Sequence, residues 1–249
     1  MAEREPLSVV MWLWGQKYTP RHVNHMARSI GKCLKIPHRL FLFTSHPIKS
    51  IRRHLDPGIS VVKMWNHLDH TPGCLRRLPI FCENMGPILG SRFLSVDIDM
   101  VFMGDITDLI TNRDNVEYCF TASDNPHWPD NDLSGTMFMA DVGVLEDTIY
   151  KAFMTTLGSC KYPDRLVKYL RSVGKNGTDS AWFSWILGDE SPTWGKQDGI
   201  CSFEFDIKGK GIIDPPDWAR IVLFHGRAND PLDPKIQEKY PWVKEYVHV

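Results

Sequence analysis

Three short apolar runs, each cut off by a polar cluster, constrain the fold of this chain more than any other feature of its sequence. Ser8 to Trp14 is followed by Gly15-Gln16-Lys17, Arg92 to Val96 by Asp97-Ile98-Asp99, and Arg220 to Phe224 by His225-Gly226-Arg227. Runs of this length, rich in β-branched and aromatic residues, read as strands buried on both faces. In open α/β sheets ligands sit beyond the carboxyl ends of the strands. The pattern therefore predicts an α/β fold in which the three polar clusters converge on a ligand.

The remaining elements fit that plan. Thr19-Pro20 is a good cap followed by a proline at the first helical position, and predicts a helix from Tyr18 to Leu34. Arg39 to Thr44 and Ser60 to Trp65 read as the next two strands, giving a β-α-β-β start. A helix over Leu75 to Gly86 would carry Arg76 and Arg77 toward the acidic cluster. Tyr118 to Ala122 and Thr136 to Ala140 read as short strands around a polar loop, Asp124 to Gly135. Helices follow over Asp147 to Leu157, Pro163 to Val173 and Thr178 to Leu187, and the tail after Arg227 is expected to wrap the surface. At 249 residues, 43% of them hydrophobic, the chain has material for one sizeable core, a three-layer α/β domain over 1–249.

Charge narrows the partners. Lys plus Arg (29) nearly cancel Asp plus Glu (30), so no large field of one sign is available to hold a polyanion or an acidic membrane. The six cysteines show no C-x-x-C pair, and read as reduced, mostly buried thiols in a cytoplasmic protein. The segment before Leu7 lacks the basic region and cleavage site of a signal peptide, and no stretch approaches the roughly 20 apolar residues of a membrane span.

Asp97 and Asp99 are two apart, and in an extended backbone such positions face the same side. Adjacent carboxylates repel unless a cation or proton lies between them. A hard divalent ion, Mg²⁺ or Mn²⁺, suits the pair and leaves positions for substrate phosphates. Asp130-Asn131-Asp132 has the same spacing in a polar loop and is assigned no metal; the strand before Asp97 makes the difference. His225 stands at a strand end before Gly226, where the backbone can turn tightly, and an imidazole beside carboxylates favours Mn²⁺. Lys17, Arg76, Arg77 and Arg227 are candidate partners for a diphosphate, whose charge grows as it departs. Trp14, Trp128, Trp182 and Trp194 are candidates to stack on a base or sugar, against the default of core packing.

In order, the strand with its D-x-D (Phe93 to Ile106), the small-residue entry Ser134-Gly135-Thr136-Met137, the carboxylate near a helix start at Gly177-Thr178-Asp179, and Phe224-His225-Gly226 resemble the GT-A glycosyltransferases. The likeness is to the family-8 type, which includes glycogenin and bacterial lipopolysaccharide galactosyltransferases, and to small bacterial and phage proteins of similar length. It implies a single Rossmann-like domain with a mixed central sheet and helices on both faces, 1–115 binding the nucleotide and 116–249 the acceptor. It further implies a UDP-sugar donor, Asp97 near the ribose or metal, and Asp99 and His225 on the metal. Trp14, Gly15, Lys17, Gly226 and Arg227 would lie near the nucleotide and phosphates, and Asp124 and Asp179 would flank the donor sugar and the incoming hydroxyl. The sequence departs from the pattern where Gly226 follows His225 at once and Arg227 stands in for the usual lysine, and where Leu133-Ser134-Gly135 and Asp179-Ser180 replace Asn-Ser-Gly and Asp-Gln.

The acceptor implied is a hydroxyl on a glycan, a small molecule or a hydroxymethylated DNA base; for a flipped base, the loop Asp124 to Gly135 with His127 and Trp128 would be the platform. Two rival functions share these residues. A haloacid-dehalogenase-like phosphatase would use Asp97 and Asp99 as nucleophile and acid, but that motif normally closes the first strand of the chain. A sugar-binding protein that had lost catalysis would be expected to lose its metal ligands first.

Overall fold

The computed structural model describes residues 5–68, 71, 73–127, 129, 131–159, 168, 178–226 and 228–248. Its strands are β1 (Leu7–Leu13), β2 (His38–Thr44), β3 (Ile59–Lys63), β4 (Arg92–Val96), β5 (Met100–Phe102), β6 (Tyr118–Ala122), β7 (Leu133–Asp141), β8 (Thr193–Trp194), β9 (Ile200–Ser202) and β10 (Ile221–Leu223). A seven-stranded mixed sheet, ordered β3-β2-β1-β4-β7-β6-β8, is flanked by helices, and a small second sheet is ordered β5-β10-β9. The predicted α/β class is the one observed. The chain divides into two compact units drawn from interleaved stretches: Met1–Ser8, Met64–Ser95 and Val116–Thr193 form one, and Val9–Lys63, Val96–Asn115 and Trp194–Val249 the other.

The second of these units contains β1 from Val9 onward. Every residue of β1 is buried, as a strand covered on both faces requires. β2 and β3 run parallel in register from Leu40 opposite Ile59 to Thr44 opposite Lys63. The helix Pro20–Cys33 starts as predicted: Pro20 opens it, and Thr19 and His22 cap it reciprocally, with the Thr19 amide donating to His22 Nδ1 at 3.1 Å. Its inner face carries Val23, Met26, Ala27, Ile30 and Cys33. β10 pairs parallel to β9 and antiparallel to β5.

The tail after Arg227 does not merely wrap the surface. Short helices at Pro234–Lys239 and Trp242–Tyr246 bring Tyr240, Trp242 and Val243 into a core cluster with Val101, Phe203, Val222 and Phe224. Its Pro and charged residues mark the turns; the aromatic residues between them carry the packing.

In the first unit, β6 and β7 are antiparallel, with a register shift between Phe120 and Thr121. β7 runs through Ser134 and Gly135, beyond the predicted Thr136 to Ala140, because pairing with β6 overrides the weak strand preference of small residues. Phe81, Phe93, Phe120, Phe138 and Phe183 form an aromatic core, with Phe120 and Phe138 stacked at 5.2 Å. The helix predicted over Leu75 to Gly86 is instead a 3-10 helix, Gly73–Phe81, followed by short turns at Glu83–Met85 and Gly86–Leu89. Pro79, which lacks an amide hydrogen, sits inside it and is incompatible with a regular α-helix. The segment predicted as Asp147 to Leu157 opens as a π-helical turn, Glu146–Lys151, before the α-helix Ala152–Ser159. Thr178 stands, extended, just before the helix Asp179–Leu187, which stops at Gly188 with φ +75. The predicted helix Pro163 to Val173 lies outside the described residues apart from position 168.

Burial decides the chemistry of several groups that could titrate. The thiols of Cys82 and Cys201 are pushed up to about 12, chiefly by burial, which makes them structural rather than reactive. His25 is fully buried; its Nε2 lies 3.1 Å from the Met100 carbonyl and its Nδ1 accepts the His248 amide at 3.0 Å. Burial lowers its pKa from 6.5 to about 4, against the pull of the Met100 carbonyl, so the fold holds a neutral ring. As pH falls below 6.5 the unfolded chain binds this proton first. Stability is thus complete above about 6.5 and lost toward about 4, by at most about 1.4 kcal/mol per pH unit for this group. Urea unfolding midpoints at pH 7.5 and pH 5 should differ less for His25→Gln than for the wild-type protein; equal differences would assign the acid sensitivity elsewhere.

Candidate functional site

The exits of β1 and β10 and the turn from β4 to β5 meet around one carboxylate. Asp97, Ile98 and Asp99 form that turn, with Asp97 half-buried and Asp99 buried. The Asp99 carbonyl accepts the Phe224 amide at 3.2 Å, tying the end of β10 to the turn. From the β1 exit, Tyr18 donates its hydroxyl to Asp99 Oδ2, and Lys17 donates to the Tyr18 oxygen. The Lys17 ammonium also lies 3.6 Å from Asp99 Oδ2 and donates to the Gly226 carbonyl at 3.0 Å. One residue of each predicted polar cluster therefore reaches this point: Lys17, Asp99 and Gly226.

The electrostatics follow from burial. Asp99 is raised above the usual carboxylate range, mainly by desolvation, with Tyr18 and Lys17 opposing. Tyr18 is raised as well, first by burial and then by the negative charge of Asp99, so its phenol keeps its proton. Two glycines shape the turns: Gly15 at φ +65, and Gly226 at φ +100, where most side chains would be strained. The Asn229 side chain donates to the His225 carbonyl at 2.8 Å and to Glu204 at 2.7 Å, bracing the β10 exit.

His225 turns toward Ser202, with Nε2 3.1 Å from its hydroxyl and the ring 5.3 Å from that of Phe205. Burial lowers its pKa, against Glu204 and Asp206, which favours the neutral ring. Among the described residues no three His, Cys, Asp or Glu side chains are gathered closely enough to hold a metal ion, so Asp97, Asp99 and His225 do not form a closed ligand set in this arrangement. Arg227 lies outside the described residues.

The first unit holds a second polar centre. Arg77 and Asp179, 1% and 2% exposed, form a buried ion pair; Arg77 Nη2 also donates to the Gly135 carbonyl at 2.6 Å, and Asp179 Oδ1 accepts the Ser180 amide at 3.0 Å. Arg77, expected to reach phosphates, is thus committed to Asp179, the carboxylate expected to serve the sugar. Arg76 is half-buried and donates to the Thr71 carbonyl at 3.1 Å. Asp124 and His127 are exposed, whereas Trp128 and Asp130 lie outside the described residues. Of the tryptophans proposed for stacking, Trp182 and Trp194 are core residues whose indoles donate to the Ile149 and Leu109 carbonyls; Trp14 is half-buried.

Sequence reasoning missed Tyr18, His22, Ser202, Asn229 and Asp230. Asp230 sits 3.1 Å from His22 Nε2, and the edge of the Tyr18 ring packs on His22 at 5.1 Å. Burial pushes the Asp230 pKa up, but His22, the Leu232 amide and Lys17 together bring it below the usual range. Tyr18 had a signal: it directly follows Lys17 at a strand exit. The others gain their roles only from packing.

No family model matches the sequence, and no curated protein matches it. Solved structures do. The glycosyltransferase GlyE of Streptococcus pneumoniae TIGR4 superposes with a TM-score of 0.59 at 13% identity, covering 96% of this chain and 60% of that one. The galactosyltransferase LgtC, solved with donor and acceptor sugar analogs, gives 0.60 at 9% identity, covering 98% of this chain and 97% of that one. The chain thus spans 60% of the GlyE chain and nearly all of the LgtC chain. At these identities the likeness is one of fold: the chain has the mixed α/β fold of GT-A-type glycosyltransferases.

The Arg77–Asp179 pair makes a stability prediction. A Cβ at Gly135 would fall well inside contact distance of both the Arg77 guanidinium and the Asp179 carboxylate. Gly135→Ala should cost about 1–3 kcal/mol by overpacking, seen as a lower urea midpoint. An unchanged midpoint would mean that the pair yields freely.

Proposed function

We propose that this protein is a glycosyltransferase of the family-8 kind, moving a sugar from a nucleoside diphosphate, UDP above all, to an acceptor hydroxyl with Mn²⁺ or Mg²⁺. The observation that carries the reading is the buried Asp99 at the meeting of three strand-exit segments, in a fold shared with solved sugar transferases.

The donor set around Lys17 fits a hard cation: a carboxylate, a backbone carbonyl and a phenol oxygen already surround positive charge there. Asp97 and Asp99 would hold the ion, with His225 joining on release from Ser202. When bound, such an ion supplies charge compensation for the departing diphosphate. The chain's own residues do the rest. Trp14, Gly15 and Gly226 line the nucleotide side at the strand exits, and Lys17 offers an ammonium to phosphate oxygens. The resemblance assigns Asp179 to sugar hydroxyls; in the structure it is 2% exposed and paired with Arg77. The exposed Asp124 is assigned to the acceptor. The reading includes a cytoplasmic location; among the described residues no helix is long and apolar enough to cross a membrane.

Purified protein incubated with a panel of nucleotide sugars and Mn²⁺ should hydrolyse one donor slowly. Asp99→Asn, which keeps shape and loses charge, should lower that turnover by at least about 100-fold with an unchanged circular dichroism spectrum. Turnover that survives both Asp99→Asn and a chelator would overturn the reading. Labelled sugar offered with free glycans, small hydroxyl compounds and hydroxymethylpyrimidine DNA identifies the acceptor class.

A further inference from the structure

We infer that Lys17 is a built-in counter-ion that competes with the divalent cation for Asp99 and is transferred to the donor's diphosphate when that cation binds. The inference rests on the proposed function and concerns how its cation site is regulated.

The argument begins with the cost of burying Asp99. A carboxylate that is 6% exposed needs a compensating charge or hydrogen bonds. Tyr18 supplies a hydrogen bond but no charge. The charge comes from Lys17, whose ammonium lies 3.6 Å from Asp99 Oδ2 and donates to the Gly226 carbonyl and the Tyr18 oxygen. Besides the face of the Tyr18 ring, 4.3 Å away, these partners are oxygens, the donors that Mg²⁺ and Mn²⁺ also take. Two cations sharing them would repel each other, so a divalent ion entering at Asp99 must drive the ammonium out.

Lys17 is placed to leave. Its side chain is 44% exposed, against 9% for that of Asp99, and its four-carbon stem is flexible. Once displaced, the ammonium needs an anion, and a diphosphate coordinated by the incoming ion would be the nearest one supplied by the reaction. Metal and donor would then bind as a coupled pair: the metal alone must displace Lys17 from Asp99 with no anion to receive it, and the donor alone finds Lys17 engaged. The competition also keeps the site from collecting metal in the absence of donor.

The test reads metal binding rather than activity. Mn²⁺ affinity is measured by the loss of the free-ion paramagnetic resonance signal, with and without UDP, for the wild-type protein, Lys17→Met and Lys17→Gln. Both variants should bind Mn²⁺ alone at least tenfold more tightly than wild type, and the gain in affinity that UDP confers should shrink. In the wild-type protein, saturating Mn²⁺ with UDP absent should speed reductive methylation of Lys17, followed by peptide mass spectrometry, because displacement uncovers the amine. Wild-type Mn²⁺ binding with equal or weaker binding by the variants, or with no change in Lys17 labelling, overturns the counter-ion role and leaves the metal-dependent reading standing. Absence of Mn²⁺ binding by all three proteins even with UDP overturns that reading and the inference with it.

Discussion

The buried carboxylate of Asp99 is the constraint around which one unit of this protein is arranged. A charge so placed is tolerated only where neighbours satisfy it, and here the neighbours come from two stretches far from Asp99 in the chain. Tyr18 and Lys17, from the exit of β1, face the carboxylate itself; at the exit of β10 the Phe224 amide binds the Asp99 backbone carbonyl and the Gly226 carbonyl accepts from Lys17. For the hydroxyl of Tyr18 to reach Asp99, the chain must leave β1 through the left-handed turn at Gly15 and enter the helix directly at Thr19-Pro20. The capping of that helix, the glycine before it and the length of β1 are therefore parts of a single solution to one electrostatic problem.

What the sequence disclosed follows from the physics of its signals. Buried strands ending in polar clusters are visible because apolar continuity and an abrupt end are local properties, and β1, β4 and β10 lie where the runs placed them. The rule that strand exits of an α/β sheet share an end covers β1 and β4, which lie in the seven-stranded sheet, but not β10, whose exit reaches Lys17 and Asp99 from the small second sheet. Tyr18 was hidden inside a helix assignment, although the helix itself begins two residues later. His22, Ser202, Asn229 and Asp230 were invisible because each owes its place to a partner distant in sequence: His22 pairs with Asp230 across 208 positions. Over Gly73–Phe81 the backbone is 3-10 rather than α-helical, and Pro79, which lacks an amide hydrogen, is the local signal in the sequence that points to this.

The other unit solves a related problem differently. Arg77 and Asp179 are more deeply buried than Lys17 and Asp99, and they neutralise each other with a guanidinium, which is weakly hydrated and matches a carboxylate in shape. Buried pairs of this kind contribute little net stability compared with apolar packing, so their value lies in fixing geometry. Here the geometry fixed is the start of β7: Arg77 holds the Gly135 carbonyl, Ser180 accepts the Gly135 amide, and only a residue without a side chain fits between. An ammonium in place of Arg77 would carry its donors on one nitrogen, without the planar fork by which Nε and Nη2 both reach Asp179. Rigid pairing in one unit and an exposed, mobile-stemmed lysine in the other are opposite uses of the same attraction.

His225 belongs with Lys17 in this respect. Metal ligation demands a neutral imidazole, and burial already favours that form without help from any ion. Its partner is the Ser202 hydroxyl, which also accepts the Phe205 amide and would keep that anchor if, as proposed, the imidazole turned to a metal. The backbone at that point does not need to move, because Asn229 holds the His225 carbonyl and the Phe224 amide is bound to Asp99. Under the proposed function, the cation site is thus prepared by side chains in exchangeable partnerships on a braced backbone. On that proposal, assembly of the site costs exchanges of side-chain partners at Ser202 and at Lys17 rather than a refolding of the loops that carry them.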